Sequence, residues 1–427
     1  MKHLRITGLA VLGIASAADA QTLTGIGLLP PGSISVGTLH SPASNCHGLS
    51  ADGLVAVGVG SWSPYIRPFR WTRAGGMSPM NFMPGVTNGT AAYATNGDGT
   101  VVVGTGISGP ISNRAIRWVG DAPQDLGTLA GGAQSYGEDV SDDGSRVCGM
   151  SESSAGLRAF LWTAADGMLN LGTLPGKSFS RATAISGDGQ VVIGYAFNTS
   201  TDARGFRWTS AGGIQDMGDV SPGSPFVPSA CSEDGSTIVG GAIVGSVGHG
   251  WKWTAAGGLT DLGIIAGANN SGANNVNADG RVVVGSSGGA SIWTATGGWM
   301  KLKRILELEE IPNSDWNLGG AFDISADGLT IAGSGSHTLP SGSQRQEGWV
   351  IRLAVLPCNL ADIAKLGGAP GPDGRVTPDD LIAFIEGFFA GSLVKCDLIG
   401  LGGFPVPDGQ LTADDIVEFL RLFFLPC

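Results

Sequence analysis

The chain has few charged residues, and fewer than half of these are basic. Asp, Glu, Lys and Arg make up 14% of its 427 residues, whereas about a quarter is usual for a soluble domain. Its 24 Lys and Arg are outnumbered by 36 Asp and Glu, which argues against a basic surface for nucleic acid. After residue 20 no segment approaches the roughly 20 apolar residues of a membrane-spanning helix. We therefore expect a chain that neither binds nucleic acid nor spans a membrane.

Histidine is also scarce, and its positions give no sign of a catalytic centre. After residue 20 the sequence has only His40, His47, His249 and His337. They fall in unrelated parts of the chain, without the spacing of metal ligands. We expect no catalytic triad.

What the sequence does contain is a repeat. The dipeptide Asp-Gly returns every 45 to 48 residues, at Asp52, Asp98, Asp143, Asp188, Asp234, Asp279 and Asp327. Self-similarity at this period is typical of architectures in which each repeat is one supersecondary unit that cannot bury its apolar face alone.

Each repeat has the pattern of four short β-strands. In the fourth repeat, ATAIS (182–186) precedes the Asp-Gly turn and QVVIGYA (190–196) follows it, which is a strong hairpin signal. GFRWTS (205–210) and IQDMG (214–218) provide two further strands. Four strands in about 45 residues are typical of a propeller blade.

The seventh repeat lacks its fourth strand, and the N-terminal region offers one. The segment LTGIGLLPPGS (23–33) is similar to LNLGTLPGKS (169–178) of the third repeat. We expect residues 22–30 to pair with the strand that contains Trp349, because such closure leaves only short, protected strand edges. The predicted fold is an all-β seven-bladed propeller over residues 21–356, with four-stranded blades and an N-terminal strand that closes the last blade.

A tryptophan recurs in the third strand of six repeats. The series is Trp71, Trp118, Trp162, Trp208, Trp253 and Trp293. A regularly placed Trp could be a ligand-stacking platform. It is more often a wedge between blades, because aromatic side chains carry the most burial per residue. We interpret the series as packing.

Residues 1–20 have the form of a secretory signal peptide. Lys2 and Arg5 precede the apolar run GLAVLGIASAA, and the segment ends in Ala-Asp-Ala, a small-x-small cleavage pattern. It is too short to span a bilayer. We expect export, and a secreted location outside the cell or at its surface.

The tail, residues 357–427, is a second domain with an internal duplication. Residues 362–389 and 397–424 align with an offset of 35 residues, and each half is a Gly/Pro-rich loop followed by an apolar helix. Thr377 and Thr412 stand at the helix N-cap position, before acidic first turns. The broad apolar faces of the two helices most simply pack on each other.

These elements resemble two known families. The S-x-D-G-x-V-V-G, G-x-F-x-W-T and D-L-G-T-L elements resemble the HAF-type repeats of bacterial extracellular proteins. CNLADIAKLGGAPGPDG (358–374), TPDDLIAFIEGFF (377–389) and the terminal Cys resemble a dockerin, most closely the GC-type dockerin-like domain of planctomycete secreted proteins. The tail departs from that pattern in ending Leu-Pro-Cys rather than Gly-Cys. The resemblance implies a small α-helical, EF-hand-like module that attaches the propeller to an extracellular protein or cell-surface partner.

Dockerin likeness implies calcium, and the sequence supplies part of a ligand set. In each half of the tail, the glycine of the Asp-Gly pair (Gly374 or Gly409) can be taken as position 6 of an EF-hand loop. The preceding Asp then stands at position 5, and the Asp of the following helix start stands at position 12. A third Asp lies 11 residues before the first and serves only if the Gly/Pro insertion loops out, because positions 1 and 3 offer no side-chain ligand. The candidate calcium ligands are Asp362, Asp373, Asp380, Asp397, Asp408 and Asp415. The alternative is two Asp-Gly turns with N-capped helices and no metal.

Six cysteines divide between the two domains. Those of the propeller are Cys46, Cys148 and Cys231. They fall in repeats one, three and five, which are not neighbours in a ring, so we interpret them as buried small hydrophobic residues. Cys358 and Cys427 bracket the tail, and a disulfide between them would close it in an oxidising compartment. Cys396 then remains odd, either buried or an intermolecular thiol.

Three classes of function remain. The leading one is a non-enzymatic extracellular propeller that presents loops for binding and is attached or assembled through its tail. The second is a carbohydrate-binding propeller, with Trp62, Tyr65 and Trp299 as candidate exposed aromatics. The third is a propeller hydrolase or lyase, which needs converging acid, base or metal groups. The sequence shows no repeated His or carboxylate for the face near the axis, so we expect no enzyme. A cluster of titratable residues at the channel mouth would revive the third class.

Overall fold

The computed structural model describes residues 22–29, 43–62, 65–86, 89–106, 113–199, 201–356, 372, 375–390, 392 and 411–423. These residues form seven four-stranded sheets, which are the blades of a propeller, together with one two-stranded sheet and three helices. Neighbouring strands of every blade are antiparallel and follow chain order, except where the N-terminal strand joins the last blade. The predicted fold class is confirmed.

The first four blades follow the N-terminal strand β1 (Thr22–Gly25). Blade 1 comprises β2 (Ser44–Leu49), β3 (Val55–Trp62), β4 (Tyr65–Thr72) and β5 (Gly76–Pro79). Blade 2 comprises β6 (Thr90–Thr95), β7 (Val101–Gly106), β8 (Arg114–Val119) and β9 (Ala122–Asp125). Blade 3 comprises β10 (Ser135–Val140), β11 (Arg146–Ser153), β12 (Gly156–Thr163) and β13 (Gly167–Asn170). Blade 4 comprises β14 (Phe179–Ile185), β15 (Val191–Phe197), β16 (Arg204–Thr209) and β17 (Gly213–Asp216).

The last three blades carry two insertions. A small ribbon of β18 (Asp219–Ser221) and β19 (Ser224–Pro225) precedes blade 5, and helix α1 (Leu302–Leu308) follows blade 6. Blade 5 comprises β20 (Val227–Cys231), β21 (Thr237–Val244), β22 (Val247–Thr254) and β23 (Gly258–Asp261). Blade 6 comprises β24 (Gly272–Val276), β25 (Val283–Ser286), β26 (Ala290–Thr294) and β27 (Gly298–Lys301). Blade 7 comprises β28 (Trp316–Ile324), β29 (Thr330–Thr338), β30 (Gln344–Arg352) and β1.

Each Asp-Gly lies in the loop between the first and second strand of its blade. In blade 4 the Ser186 hydroxyl donates to Asp188 Oδ1 (2.5 Å) and accepts from the backbone N–H of Val191 (3.0 Å), which closes the loop. Gly189 has a φ of +70°, a conformation that glycine adopts at no steric cost. The predicted hairpins are confirmed, but the connection is longer than a two-residue turn, and the glycine alone needs positive φ.

The glycine of the V-V-G element is required by the first strand of the same blade. In blade 4 a Cβ on Gly194 would overlap the carbonyl oxygen of Arg181 on β14. The same overlap recurs in every blade, at Gly58, Gly104, Gly149, Gly194, Gly240, Gly285 and Gly333. The repeated glycine therefore permits a close approach of two backbones.

The Trp series packs between blades, as predicted. Trp118 is completely buried and donates its indole N–H to the carbonyl of Asn81 on the preceding blade (2.8 Å). Trp71, Trp162 and Trp208 are also buried. The two remaining members, in blades 5 and 6, are half-buried within apolar clusters.

The N-terminal strand closes the ring. β1 pairs antiparallel with β30, so that Gly25 lies opposite Trp349. Beyond the strand, the backbone N–H of Gly27 donates to Oε1 of Glu347 (2.8 Å), a side chain that is only 2% exposed. The predicted pairing is confirmed, although the strand itself is limited to four residues.

Two helices form the described part of the tail: α2 (Pro378–Phe389) and α3 (Ala413–Phe423). The rings of Phe384 and Phe419 stack 4.0 Å apart, and Leu308 of α1 joins the same apolar cluster. The helices therefore pack on each other as predicted. Six apolar side chains of the two helices nevertheless stay exposed, namely Ile382, Ile385, Phe389, Ile416, Val417 and Leu420.

The same capping arrangement begins both tail helices. Asp380 Oδ2 accepts hydrogen bonds from the backbone N–H (2.7 Å) and hydroxyl (3.2 Å) of Thr377. Asp415 Oδ2 accepts the equivalent pair from Thr412, at 2.8 and 3.2 Å. The predicted N-cap positions are confirmed, and both carboxylates are buried.

Several predictions fall outside the described residues and stay predictions. They concern the signal peptide (1–20), Asp362, Asp373, Asp397, Asp408, Cys358, Cys396 and Cys427. Among the helices of the described ranges, none has the length and apolar character needed to cross a membrane.

Candidate functional site in the central channel

The first strands of the seven blades line a central channel. These inner strands are β2, β6, β10, β14, β20, β24 and β28, and each contacts the next around the ring. The channel holds a cavity of about 130 Å³ with contributions from all seven blades. Its polar lining includes Asp139, Asp142, Glu233, Asn275 and Asp323. The cavity is the candidate site.

Every inner strand carries a β-bulge at the same place. The bulged residues are His47, Tyr93, Glu138, Thr183, Ser229, Asn274 and Phe322. The residue after each bulge is Gly48, Ala94, Asp139, Ala184, Ala230, Asn275 and Asp323, in blade order. Bulges re-aim side chains and are common next to functional sites. Here they set two rings of side chains near the axis.

Asp323 links three blades. Its Oδ2 accepts the backbone N–H of Leu49 on blade 1 (2.6 Å), and its Oδ1 accepts the N–H of Ile324 (2.8 Å) and the amide of Asn275 on blade 6. Removal from bulk water raises the pKa of Asp323 to about 7, an effect that these hydrogen bonds only partly offset. The charge of Asp139 adds to the rise.

Asp139 makes the corresponding link between blades 3 and 4. Its Oδ2 accepts the backbone N–H of Ile185 (2.9 Å) and its Oδ1 that of Val140 (2.8 Å). The pKa of Asp139 is raised to about 6. Desolvation is the largest cause, the charges of nearby Asp142 and Glu138 add to the rise, and the two N–H donors partly offset it. The backbone contacts of Asp139 and Asp323 are thus equivalent.

Bulged side chains make a second set of links to neighbouring blades. The Nδ1–H of His47 donates to the carbonyl of Ala92 (2.9 Å), and the hydroxyl of Thr183 donates to the carbonyl of Pro228 (3.1 Å). The amide of Asn274 likewise donates to a carbonyl of blade 7 (2.7 Å). An inner strand has an edge whose backbone groups need partners. The channel side chains supply them.

A second pair of carboxylates lies near the Asp-Gly end of the channel. A Cβ on Gly187 would lie 2.8 Å from Asp142 Oδ2 and 2.9 Å from Glu233 Cγ, so both side chains pack against this glycine. Desolvation raises the pKa of Asp142, and the charge of Glu233 adds to the rise. Backbone hydrogen bonds between blades surround the pair, including Asp142 N–H to Gly187 O (2.9 Å).

Aromatic rings and an ion pair lie at or next to the bulged residues of the inner strands. His47 and Tyr93 stack with their centroids 5.7 Å apart, and Phe322 on the preceding blade is 39% exposed. On the other side, Arg181 donates to Glu138 (2.7 Å). Burial lowers the pKa of His47 and raises that of Tyr93. The wall is therefore aromatic over blades 7, 1 and 2, and charged over blades 3 and 4.

These groups allow proton transfer in principle, but their hydrogen bonds commit them to structure. A carboxyl group with a pKa of about 6 or 7 suits general acid–base chemistry near neutral pH. However, both oxygens of Asp139 and of Asp323 accept backbone N–H groups. Among the described residues, no three His, Cys, Asp or Glu side chains form a group that could hold a metal ion. Asp139 and Asp323 therefore link neighbouring blades through the N–H groups of Ile185 and Leu49, and each of these two links is called a clasp below.

The structure separates the candidate aromatic residues. Tyr65 is 40% exposed, as a surface platform requires. Trp299 is not a surface residue, because it is 8% exposed and donates its indole N–H to Gly263 O (3.1 Å). The side chain of Trp62 lies outside the described part of the chain.

The cysteines of the propeller have free thiols. Cys46 and Cys148 are buried, as predicted, and Cys231 is half-buried beside the channel cavity. Desolvation raises the pKa of all three well above the usual range. They are therefore poor nucleophiles.

The prediction that the face near the axis carries no repeated carboxylate was wrong, because Asp139 and Asp323 line the channel. Asp139 and Asp323 stand at the same repeat position, four residues before the Asp of their Asp-Gly, and Asn275 stands there in blade 6. Aligning the repeats on Asp-Gly and reading that column would have revealed them. The channel therefore holds the titratable cluster that keeps an enzymatic function under consideration.

Comparisons with known proteins support the fold. No family model matches the chain, and no curated protein matches it. An oligogalacturonate lyase from Vibrio parahaemolyticus has 9% sequence identity, with 78% of this chain and 94% of the lyase covered, at a TM-score of 0.51. TolB from Agrobacterium tumefaciens has 16% identity, with 52% of this chain and 80% of TolB covered, at a TM-score of 0.38. At 9% identity the similarity to the lyase concerns the fold alone.

Proposed function

We propose that this chain is an exported, non-enzymatic binding propeller that is attached or assembled through its C-terminal helices. The observation that carries the proposal is the exposed apolar surface of the tail. Ile382, Ile385 and Phe389 on α2 remain in solvent, with Phe389 85% exposed. Monomeric soluble domains rarely leave such side chains uncovered in groups, and groups of this kind mark interaction sites. The dockerin-like sequence of the tail supports the same role.

The channel geometry supports a scaffold rather than a catalyst. A catalytic carboxyl group must reach a substrate proton. The oxygens of Asp139 and Asp323 instead hold N–H groups of the inner strands. We infer that their task is to keep the ring closed while the loops of the propeller bind a ligand.

The attachment role is tested by retention on the producing cells or their extracellular matrix. Phe389→Glu in the full chain should reduce the retained fraction at least tenfold, because it places a charge in the apolar surface. Ile243→Glu is the matched control, since Ile243 is also exposed (65%) but lies on blade 5. Equal retention of both variants and the parent protein would refute the attachment role.

A carbohydrate-binding function is a second candidate. Phe322 and Tyr65 are partly exposed aromatic side chains on the propeller, and His47 and Tyr93 stack in the channel wall. Aromatic rings with adjacent polar groups suit a sugar ligand. A glycan array tests this function, and signals that Phe322→Ala abolishes would favour it over a protein ligand.

A hydrolase or lyase is the third candidate, favoured by the raised pKa of Asp139 and of Asp323. Hydrolysis or eliminative cleavage of a polysaccharide or ester by the purified chain, abolished by Asp323→Asn in a folded variant, would overturn the non-enzymatic proposal.

Calcium in the tail remains a proposal. Asp380 and Asp415 offer one carboxylate per repeat, and oxygen ligands of this kind suit Ca²⁺. One oxygen of each already accepts two hydrogen bonds from the capping threonine. The described residues alone therefore do not form a calcium site, and binding would need the four other aspartates of the set.

A further inference from the structure

The exposed apolar side chains of the tail form one stripe on each helix. On α2 the stripe consists of Ile382, Ile385 and Phe389, at the spacing that keeps residues on one face of a helix. On α3 it consists of Val417 and Leu420, with Ile416 beside them. The duplication relates the stripes, because Ile382 and Ile385 occupy the positions of Val417 and Leu420 with the offset of 35 residues. The chain thus presents two equivalent apolar surfaces.

A charged residue of opposite sign accompanies each stripe. Glu386 lies within the α2 stripe and is exposed. The same offset places Arg421 at the equivalent position of α3, where it is exposed and donates to Glu418 of its own helix (2.6 Å). The stripes therefore match in apolar character, and they carry opposite charges at one equivalent position, Glu386 on α2 and Arg421 on α3.

We propose that a second copy of this chain covers these stripes, with α2 of one copy against α3 of the other. This inference rests on the proposed docking role of the tail and names its partner. In a two-fold dimer the contact occurs twice, so that Glu386 of each copy faces Arg421 of the other. The apolar side chains are withdrawn from water in the same step, which supplies the main driving force.

The chain itself favours this occupant over a foreign one. An anionic lipid surface attracts basic segments, whereas α2 carries Asp379, Asp380 and Glu386 and no Lys or Arg. A foreign protein would have to supply a basic group for Glu386, an acidic group for Arg421, or both. A second copy carries both groups, Arg421 for Glu386 and Glu386 for Arg421.

Charge reversal tests the pairing in the full-length protein. Sedimentation of the parent protein should show a concentration-dependent dimer. Glu386→Arg places two arginines opposite each other, and Arg421→Glu places two glutamates opposite each other, so each variant should raise the dimer dissociation constant at least tenfold. An equimolar mixture of the two variants restores opposite charges at both contacts and should recover the dimer. The double variant should dimerise by itself.

Folding and partner controls keep the test decisive. Both substituted side chains are exposed, so circular dichroism of the single variants should match the parent. Melting should match for Glu386→Arg and fall only slightly for Arg421→Glu, which loses the surface ion pair with Glu418. Ile243→Glu, on the propeller, should leave the dimer intact. A parent protein that remains monomeric at all accessible concentrations, or single variants that dimerise as the parent does, would overturn the proposal. If Phe389→Glu still abolished cellular retention of such a monomer, the attachment role would stand with a foreign partner or a lipid surface as occupant. If retention were also unaffected, both would fail.

Discussion

Asp323 on the last blade accepts the backbone N–H of Leu49 on the first blade at 2.6 Å, and so joins the two ends of the ring beside the channel. The same contact recurs between Asp139 and Ile185 (2.9 Å) on blades 3 and 4. Four other blades have glycine or alanine at this position. Those four blades pack against their neighbours without this contact, so the clasp is an addition found at two places in the ring. It places two carboxyl groups with raised pKa in the channel.

The first prediction concerns the pH dependence of stability. The pKa of Asp323 rises from 3.8 to about 7 on folding and that of Asp139 to about 6, chiefly by desolvation. Between about pH 4 and pH 7 the native state therefore holds protons that the unfolded chain has released. The free energy of unfolding should fall as pH rises through this window and level off above it. Urea unfolding at pH 4.5, 5.5, 6.5 and 8 measures the slope.

Asp139→Asn provides the comparison for this slope. The variant loses one hydrogen-bond acceptor and should be less stable at every pH, but its unfolding free energy should depend less on pH. Burial lowers the pKa of His47 from 6.5, which acts in the opposite direction below that pH, but one histidine does not outweigh two carboxyl groups. Carboxyl groups with lowered pKa, such as Asp202, act below pH 4 and do not affect the chosen range. A parent protein whose stability increases from pH 4.5 to 6.5 would contradict the assigned pKa values.

The second prediction uses adjacent glycines of β21. A Cβ on Gly240 would overlap the carbonyl oxygen of Val227, whereas a Cβ on Gly241 would meet only His249 O at 3.6 Å. Gly240→Ala should therefore destabilise the protein by about 3 kcal/mol or more, since backbone must move to accommodate the methyl group. Gly241→Ala should change stability by less than about 1 kcal/mol, in the stabilising direction. Thermal or urea unfolding compares them, and equal effects would contradict the close-approach argument.

The third prediction concerns a buried hydroxyl group that lacks a partner. At the start of β10, Ser135 donates to Gly127 O (2.6 Å) and accepts the N–H of Ala115 (3.0 Å). In blade 2 the position of Ser135 is held by Thr90, and the position of Ala115 by Pro68, which has no N–H to donate. Its hydroxyl is buried without a partner within the described ranges.

Replacing that hydroxyl should not harm the fold. Thr90→Val removes an unsatisfied polar group at constant shape and should leave stability unchanged or raise it by up to about 1 kcal/mol. Ser135→Ala, the matched variant, leaves an N–H and a carbonyl unpaired and should cost about 1–3 kcal/mol. Calorimetric melting of both variants gives the comparison. A Thr90→Val variant as unstable as Ser135→Ala would reveal a partner for Thr90.

The blades could be predicted from the sequence because their signals are local and repeated. The Asp-Gly loop, the V-V-G glycine and the Trp each recur at a fixed position, and the missing strand of blade 7 has a recognisable copy after residue 22. Asp139 and Asp323 leave a weaker signal. Their position is alanine or glycine in four other repeats, so only an alignment of the repeats on Asp-Gly reveals them.

Two further differences have a similar cause. Trp299 follows a tight Gly-Gly turn, a context that is typical of surface loops, but its indole reaches the carbonyl of Gly263. On α2, the sequence shows that Ile385 and Phe389 are apolar, but not that α3 covers only part of the face. Burial depends on which surfaces meet, and that is decided by tertiary packing.

The fourth prediction tests closure of the ring at Glu347. This buried carboxylate accepts the N–H of Gly27 through Oε1, and His337 (2.7 Å) and Arg345 (2.7 Å) through Oε2. Glu347→Gln keeps the shape but removes the charge that these contacts use, and should cost about 2–4 kcal/mol. Gln344→Ala, at an exposed position of the same strand, is the control. If protease cleavage after residue 29 is not faster in Glu347→Gln than in the parent, Glu347 does not hold the N-terminal segment.

The last prediction separates the capping role of the tail aspartates from a calcium role. Asp380 and Asp415 accept hydrogen bonds from Thr377 and Thr412 at the helix starts, and loss of such a cap costs about 1 kcal/mol. Asp380→Ala should therefore destabilise the tail by this amount with chelator present. If calcium binds, the parent should melt higher in calcium than in chelator, and Asp373→Asn should remove the difference while leaving the cap intact. Calorimetric titration of calcium into the full chain measures the binding directly. Unchanged melting in chelator, together with no binding heat, would leave Asp380 with the capping role alone.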